Sequence, residues 1–385
     1  MIYLGFLLHI YQPPNQFETV LKQITGECYR PLLNLIVEEN AKFTLNINWS
    51  LTEQLMKRGY EDVIDLLQQG ADTKCLEWVG SAAYHAILPL IPEQERTRQI
   101  DLNYSKHKEL FGPLYAPRGF FPPEMAYGPE IIPFVKKAGY QWLITDDIPY
   151  QCVHESVPTS FIPVTDGFGV LLRSSLWSNR IAFDKGLDMG GDEIARWLMK
   201  DMAEWFNGKD GYIILAMDGE TFGHHRPGYI ESFLVPFLNA LKSSPDEIRL
   251  IHLSEIFDHF PKVESEVPPG SWSTTVEDFW AGNFFPLWKD PRNQAHYLLW
   301  QLTELALSGF EKLRDQMDRS LNSCTFWWAA TQPEQCSPIT LSGIDMLLEV
   351  IKTADPANYK KAKEIRASLE KALNRKAAKV GVGGE

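Results

Sequence analysis

Residues 119–147 read GFFPPEMAYGPEIIPFVKKAGYQWLITDD. A short apolar run at 119–121 stops at Pro122 and Pro123 and is followed at once by the carboxylate Glu124. Residues 129–138 then carry helical spacing, and a second apolar run at 141–145 ends on Asp146 and Asp147. Strand, helix and strand in close succession form the unit of a parallel sheet, because parallel neighbours need a crossover between them. Further apolar runs at 2–10, 43–48, 75–79, 170–173, 212–217 and 250–253 read as buried strands, and residues 93–110 and 192–206 as helices. Eight candidate strands alternating with helices over about 260 residues predict an α/β chain closed into a barrel or barrel-like sheet.

The polar residues of this pattern collect after the strands. His9 and Gln12 follow the first strand, Asn48 and Ser50 end the second, and Glu77 lies near the end of the third. Glu124 follows FFPP, Asp146 and Asp147 follow WLIT, and Asp218 follows YIILAM. In a parallel barrel the C-terminal edge of the strands carries the chemistry. The prolines before Glu124 are expected to hold an extended backbone, and Gly219 to permit a sharp turn after Asp218. Taken singly, an Asp before Gly at a strand end is the ordinary form of a turn, and a strand-end histidine that of a hydrogen-bonded core residue.

Beyond residue 265 the character changes. VPPG at 267–270 reads as a linker or turn. Residues 293–318 place Leu298, Leu302 and Leu305 on one helical face, and 339–351 do the same with Ile344, Leu347, Leu348 and Ile351. The expected division is a catalytic barrel over 1–265 and a helical region over 266–385. The basic tail from Lys360 reads as a helix with a solvated face, and GVGGE as a frayed end.

The formal charge of −13 disfavours a polyanionic partner, so nucleic-acid binding is not expected. The 12 Trp, 14 Tyr and 21 Phe suit a large aromatic core and also offer flat apolar faces on which sugars stack. Cys28, Cys75, Cys152, Cys324 and Cys336 are scattered and odd in number, which fits free thiols in a reducing cytoplasm. The N-terminal MIYLGFLLHIYQPP lacks a basic leader and reads as a strand, and no apolar run reaches the roughly 20 residues that span a membrane.

Four segments occur in order: LHIYQPP at 8–14, CLEWVGSAAYHAILPLI at 75–91, GFFPPEMAYGPEIIPFVKKAGYQWLITDD at 119–147 and ILAMDGETFGHH at 214–225. This set resembles glycoside hydrolase family 57, whose enzymes act mostly on α-glucans. His9 and Gln12-Pro13 resemble the family's opening His-x-His-Gln-Pro motif, and Glu77 with Tyr84-His85 its second motif. Glu124 matches the nucleophile of the third, and Asp218 the general acid/base of the fourth. The resemblance implies a retaining mechanism on a (β/α)7 barrel, a helical region completing the cleft, an α-glucan or maltooligosaccharide partner, and no metal or organic cofactor. A retaining pair stands roughly 5–5.5 Å apart. His9, Gln12, Glu77, His85 and His225 are then candidate sugar ligands, with Trp272, Trp280 and Trp327 as stacking faces. Trp288, Trp328 and His224 are further candidates.

Two positions depart from the family pattern. Tyr11 stands in place of the second His, and Cys324, in SCTFWW at 323–328, where an Asp is expected. Three alternatives stay open at this point. One is 4-α-glucanotransferase or branching activity on the same fold. The others are a metal-dependent, polysaccharide deacetylase-like hydrolase drawing on His9, His85, His224 and His225, and a non-catalytic glucan-binding protein.

Overall fold

The structure is a computed structural model that describes residues 1–184, 189–308, 313–330 and 338–380. Its strands, among the described residues, are β1 (Ile2–Ile10), β2 (Phe43–Ile47), β3 (Leu76–Gly80), β4 (Gly119–Phe120), β5 (Trp142–Asp146), β6 (Ile162–Thr165), β7 (Phe168–Arg173), β8 (Gly211–Asp218), β9 (Ile248–Ile251) and β10 (Lys262–Glu264). Seven of them run parallel in the spatial order β8-β1-β2-β3-β4-β5-β7. The seam between β7 and β8 is bridged without a ladder. The Ser174 N–H donates to the Ile214 carbonyl at 2.8 Å, the Ala216 N–H to Ser178 Oγ at 3.1 Å, and Arg173 Nη1 to the Ala216 carbonyl at 3.0 Å. The result is a (β/α)7-type barrel followed by a helical region.

All nine residues of β1 are buried because both faces of the sheet are covered. Tyr3 and Leu7 point into the barrel with Trp142, Ile144, Leu171, Ile214 and Ala216, while Leu4, Phe6 and Leu8 pack outward against the helices. Each fully buried side chain of this size contributes about 1.5–3 kcal/mol.

The eighth candidate strand, at 250–253, lies outside the ring. As β9 it pairs with residues 2–5 of β1, below the stretch where β2 pairs with residues 7–10. β6 and β10 form a flap on β7 that the apolar runs did not signal. β6 is four residues long and contains Pro163, and β10 is exposed throughout.

The helical region comprises Gln294–Leu307, Arg314–Ser320, Ser323–Trp328, Pro338–Ala354 and Tyr359–Val380. The face expected from Leu298, Leu302 and Leu305 is rotated by about a residue: Ala295, Leu299, Leu302 and Ala306 are buried, and Leu298 and Leu305 only partly so. Ile344, Leu347, Leu348 and Ile351 are all buried as spaced. The basic terminal helix buries Ala362, Ile365, Leu369 and Leu373. GVGGE and Cys336 lie outside the described residues.

Arginine–carboxylate pairs bind this region to the barrel helices Glu93–Phe111 and Trp49–Lys57. Arg98 holds Asp318 through both carboxylate oxygens, with Nη2 at 2.6 Å and Nε at 2.9 Å, and Asp318 is fully buried. Arg314 donates to the buried Glu95 at 2.7 Å, and Arg319 to Glu53. Arg98→Ala should destabilise the fold by about 3 kcal/mol, because it strands a buried carboxylate. Urea denaturation checks this; a loss within experimental error would show that Asp318 finds another partner or water.

Candidate active site

The C-terminal mouth of the barrel is built from one register level. His9 lies opposite Asp218 in β8 and opposite Asn46 in β2, and its Nδ1 meets Asn46 Oδ1 at 2.6 Å. The ring stacks on Phe121, with centroids 4.6 Å apart, and on His85 at 4.9 Å. Tyr11 stacks on His85 at 4.0 Å and lies 6.0 Å from the His9 ring. Among the described residues no three His, Cys, Asp or Glu side chains gather as a metal would need.

Glu124 is brought to this mouth by local strain. Pro122 is extended, as its sequence predicts, but Glu124 itself adopts φ 60° and ψ 19°, the left-handed region, inside the 3-10 turn Pro123–Met125. The segment is strapped from beyond the barrel. Tyr127 and Gly270 exchange backbone hydrogen bonds at 2.8 and 2.9 Å, and the Trp272 N–H donates to the Glu124 carbonyl at 3.3 Å. VPPG is therefore more than a linker: its Gly270 lies so close to Pro149 that a Cβ would come within 2.3 Å of Pro149 Cγ. Trp272 Nε1 donates to Glu124 Oε2 at 2.7 Å and Ser323 Oγ to Oε1 at 2.9 Å. Burial pushes the Glu124 carboxyl up to about 7, the Trp272 and Ser323 donors oppose the rise, and the charge of Asp218 adds to it.

Asp218 ends β8 with an exposed side chain. Gly219 is demanded by close packing and not by its dihedrals, since a Cβ there would meet Ile10 Cγ2 at 2.6 Å. The left-handed turn falls later, at Gly223 with φ 114°.

A third carboxylate, Glu220, was missed by the sequence reading although it lies in the quoted DGET. It is buried and accepts hydrogen bonds at Oε1 from the Tyr29 hydroxyl at 2.5 Å, Gln12 Nε2 at 3.2 Å and the Tyr11 N–H at 3.3 Å. Burial and the Asp218 charge push it up to about 8. Its carbonyl accepts the N–H groups of His224 and His225, which folds back the loop after Asp218.

The other candidates separate. Gln12 spends its amide on Glu220 and Tyr29. Glu77 is the second residue of β3, two positions below the level of His9; it accepts from Thr44 Oγ1 at 2.8 Å and the Ser254 N–H at 3.3 Å, so it belongs to the barrel floor. His225 is exposed on the loop after Asp218, and His224 Nδ1 meets Glu27 at 2.9 Å. Trp280 is 68% exposed on the helix Val276–Trp280. Trp288 is fully buried, Trp327 packs partly buried on the second core, and Trp328 is half-buried. Asp146 caps the helix Asp147–Val153 through the Ile148 N–H and pairs with Arg173 Nε at 2.7 Å; Asp147 accepts the Ser175 N–H at 3.1 Å. Those three residues hold the β5–β7–β8 seam. The two departures from the family pattern meet: the Tyr11 hydroxyl faces the Cys324 thiol, and burial pushes both well above their ordinary values, so neither is charged at neutral pH.

A (β/α)7-type barrel with carboxylates at its mouth is the layout of a glycoside hydrolase. The chain belongs to glycosyl hydrolase family 57, whose profile matches residues 8–268. It is 27% identical over 327 residues to an alpha-amylase of Pyrococcus horikoshii, covering 80% of this chain and 47% of that protein. It is 25% identical over 330 residues to a 4-alpha-glucanotransferase of Thermococcus litoralis, covering 80% of this chain and 46% of that one. The chain spans about half the length of the curated relatives it matches. Among solved structures it is similar to a family 57 branching enzyme of Pyrococcus horikoshii, with a TM-score of 0.69 at 18% identity over 97% of this chain and 94% of that one. The T. litoralis 4-alpha-glucanotransferase gives 0.70 at 19% identity, over 91% of this chain and 60% of that chain. Among the described residues no helix is long and apolar enough to cross a membrane.

Proposed function

We propose that the chain is a retaining glycoside hydrolase that cleaves α-glucosidic bonds, mainly α-1,4, in starch- or glycogen-type glucans or maltooligosaccharides. The observation that carries this reading is Glu124: a buried carboxylate in a left-handed turn, held at both oxygens by donors from outside the barrel, within electrostatic reach of Asp218. Glu124, ionised, attacks the anomeric carbon as protonated Asp218 gives its proton to the glycosidic oxygen. Asp218 then takes a proton from the incoming water, which releases the sugar with its configuration kept. Residues 266–385 complete the cleft, and Trp272 and Ser323 orient the nucleophile. Free thiols at Cys28, Cys75, Cys152 and Cys324 suit a cytoplasmic setting.

Similarity to a 4-alpha-glucanotransferase over 80% of the chain supports a second reading, in which a sugar hydroxyl replaces water as acceptor. Product analysis on amylose, pullulan and maltooligosaccharides separates the two. Hydrolysis yields a steady rise in reducing ends, transfer yields a ladder of longer oligosaccharides, and no change on any of these substrates contradicts both.

The pH dependence follows from Glu124. Its raised value keeps it protonated, and unable to attack, below about 7. In the free enzyme kcat/KM should therefore fall as pH drops through about 7. The profile of kcat/KM against pH on an aryl glycoside with a good leaving group, which needs little protonation by Asp218, checks this; an acidic limb well away from 7 would contradict it.

A further inference from the structure

His85, expected as a sugar ligand, is linked to Glu124 through Ser323. It sits at φ 59° in the left-handed region, like Glu124 itself, and such strain in a non-glycine residue persists only where the surroundings impose it. Ser323 grips it twice. The Ser323 N–H donates to the His85 carbonyl at 3.0 Å, and Ser323 Oγ lies 2.7 Å from His85 Nδ1. The same Oγ lies 2.9 Å from Glu124 Oε1, whereas His85 Nδ1 is 3.5 Å from that oxygen, too far for a good direct bond. His85 Nε2 is buried without a partner, and the ring packs against His9 and Tyr11. Of the two ring nitrogens, Nδ1 is committed to Ser323 and only Nε2 is left to meet a sugar.

A serine hydroxyl has one hydrogen. If that hydrogen points at an ionised Glu124, which can only accept, then Ser323 Oγ must accept from His85, and His85 must carry its proton on Nδ1. We propose, on the footing of the reading above, that His85 and Ser323 are positioning residues: the His85 Nδ1–H fixes the Ser323 hydroxyl toward Glu124 and so holds the nucleophile ionised and aimed. The relay reverses when Glu124 is protonated. Its O–H then donates to Ser323 Oγ, the Ser323 hydrogen turns to His85 Nδ1, and the imidazole proton resides on Nε2. Passing from the protonated to the ionised state releases one proton in total. The carboxyl proton moves to Ser323, the serine proton to His85 Nδ1, and the Nε2 proton leaves.

The orphaned Nε2 fits this account. Leaving a buried nitrogen without a partner is unfavourable, and it is tolerated where the other nitrogen is committed. Burial and the neighbouring His9 hold His85 well below its ordinary value, so the ring stays neutral and only its tautomer changes. The titratable groups around the relay are His9, Tyr11, Glu124 and Cys324, with Asp218 and Glu220 at the adjoining strand end. Of these, Glu124, pushed up to about 7, is the one bonded to Ser323.

The test reads the tautomer directly in the resting protein, so it stands whether or not the chain proves to cleave glucan. With 15N-labelled histidine, and His85 assigned from His85→Phe, the wild type should show the Nδ1–H tautomer at pH 8.5 and a shift toward Nε2–H as pH falls through the Glu124 transition. Ser323→Ala should abolish the shift. An Nε2–H tautomer throughout, or a shift that survives Ser323→Ala, overturns the proposal. Kinetics add a second readout. His85→Phe keeps the ring stack but cannot donate. It should lower kcat about tenfold or more and move the acidic limb to higher pH with KM little changed, and His85→Gln should restore part of the loss. Because the two residues act as a unit, His85→Phe with Ser323→Ala should be no worse than either alone. A rise in KM with an unmoved limb in folded His85→Phe would make His85 a sugar ligand and refute the positioning role.

Discussion

Glu124→Gln should lower turnover of glucan by roughly four orders of magnitude or more, the scale on which loss of a covalent nucleophile is felt. The amide is a very poor nucleophile toward the anomeric carbon. The fold should be intact, because the substitution removes a buried acid and keeps an oxygen that can accept from Trp272 or Ser323. Azide or formate can occupy the position of the attacking oxygen, so either ion should restore cleavage of an activated glycoside and give a product of inverted configuration. Steady-state rates with and without the anion, together with the anomeric form of the product, check this. Near-normal hydrolysis by the amide variant would remove Glu124 from the nucleophile's role.

Asp218→Ala should lower glucan hydrolysis by about 10²–10⁴-fold, the usual contribution of a general acid. An aryl glycoside with a good leaving group needs little protonation, so it should still form the glycosyl-enzyme. Breakdown of that intermediate then lacks its base, and a burst of the aryl alcohol followed by a slow phase is the expected trace. The two variants therefore carry opposite signatures on the activated substrate: rescue by anions for one, a burst for the other. Normal glucan hydrolysis by a folded Asp218→Ala would defeat the assignment. The role would not pass to Asp146 or Asp147, which are committed to Arg173 and to the N–H groups of Ile148 and Ser175.

What was legible in the sequence follows from how each feature is encoded. The ring strands are buried on both faces and so read as unbroken apolar runs, which is why six of the seven parallel strands also have long enough runs to mark, and even the two-residue β4 announces itself by the prolines that end it. Glu124 and Asp218 stood out because each follows such a run directly. Side-chain level within a strand is a matter of register, which no run reports; Glu77 was expected near the end of β3 and lies on the barrel floor beside Thr44. The long-range hydrogen bonds were equally silent. Gln12 and Glu220 are 208 positions apart, and Ser323 reaches Glu124 across 199. Ser323 was in view within SCTFWW, but a serine carries little signal until its partners are known. Glu220 stands two residues beyond Asp218, and the partners that mark it, Tyr29 and Gln12, lie far from it in the chain. Trp272 was expected as a stacking face; the bond of its indole N–H to Glu124 was not foreseen.

The covalent intermediate is the most direct test of the central claim. A fluorinated glucosyl donor that forms the glycosyl-enzyme quickly and releases it slowly should inactivate the protein in a time-dependent way, and maltooligosaccharide should protect against it. Peptide mapping by mass spectrometry should then find one added sugar on Glu124, in the segment GFFPPEMAYGPEI, and none in Glu124→Gln. A label on another carboxylate such as Glu220, or an active enzyme that yields inverted product and never carries the sugar, would contradict the account.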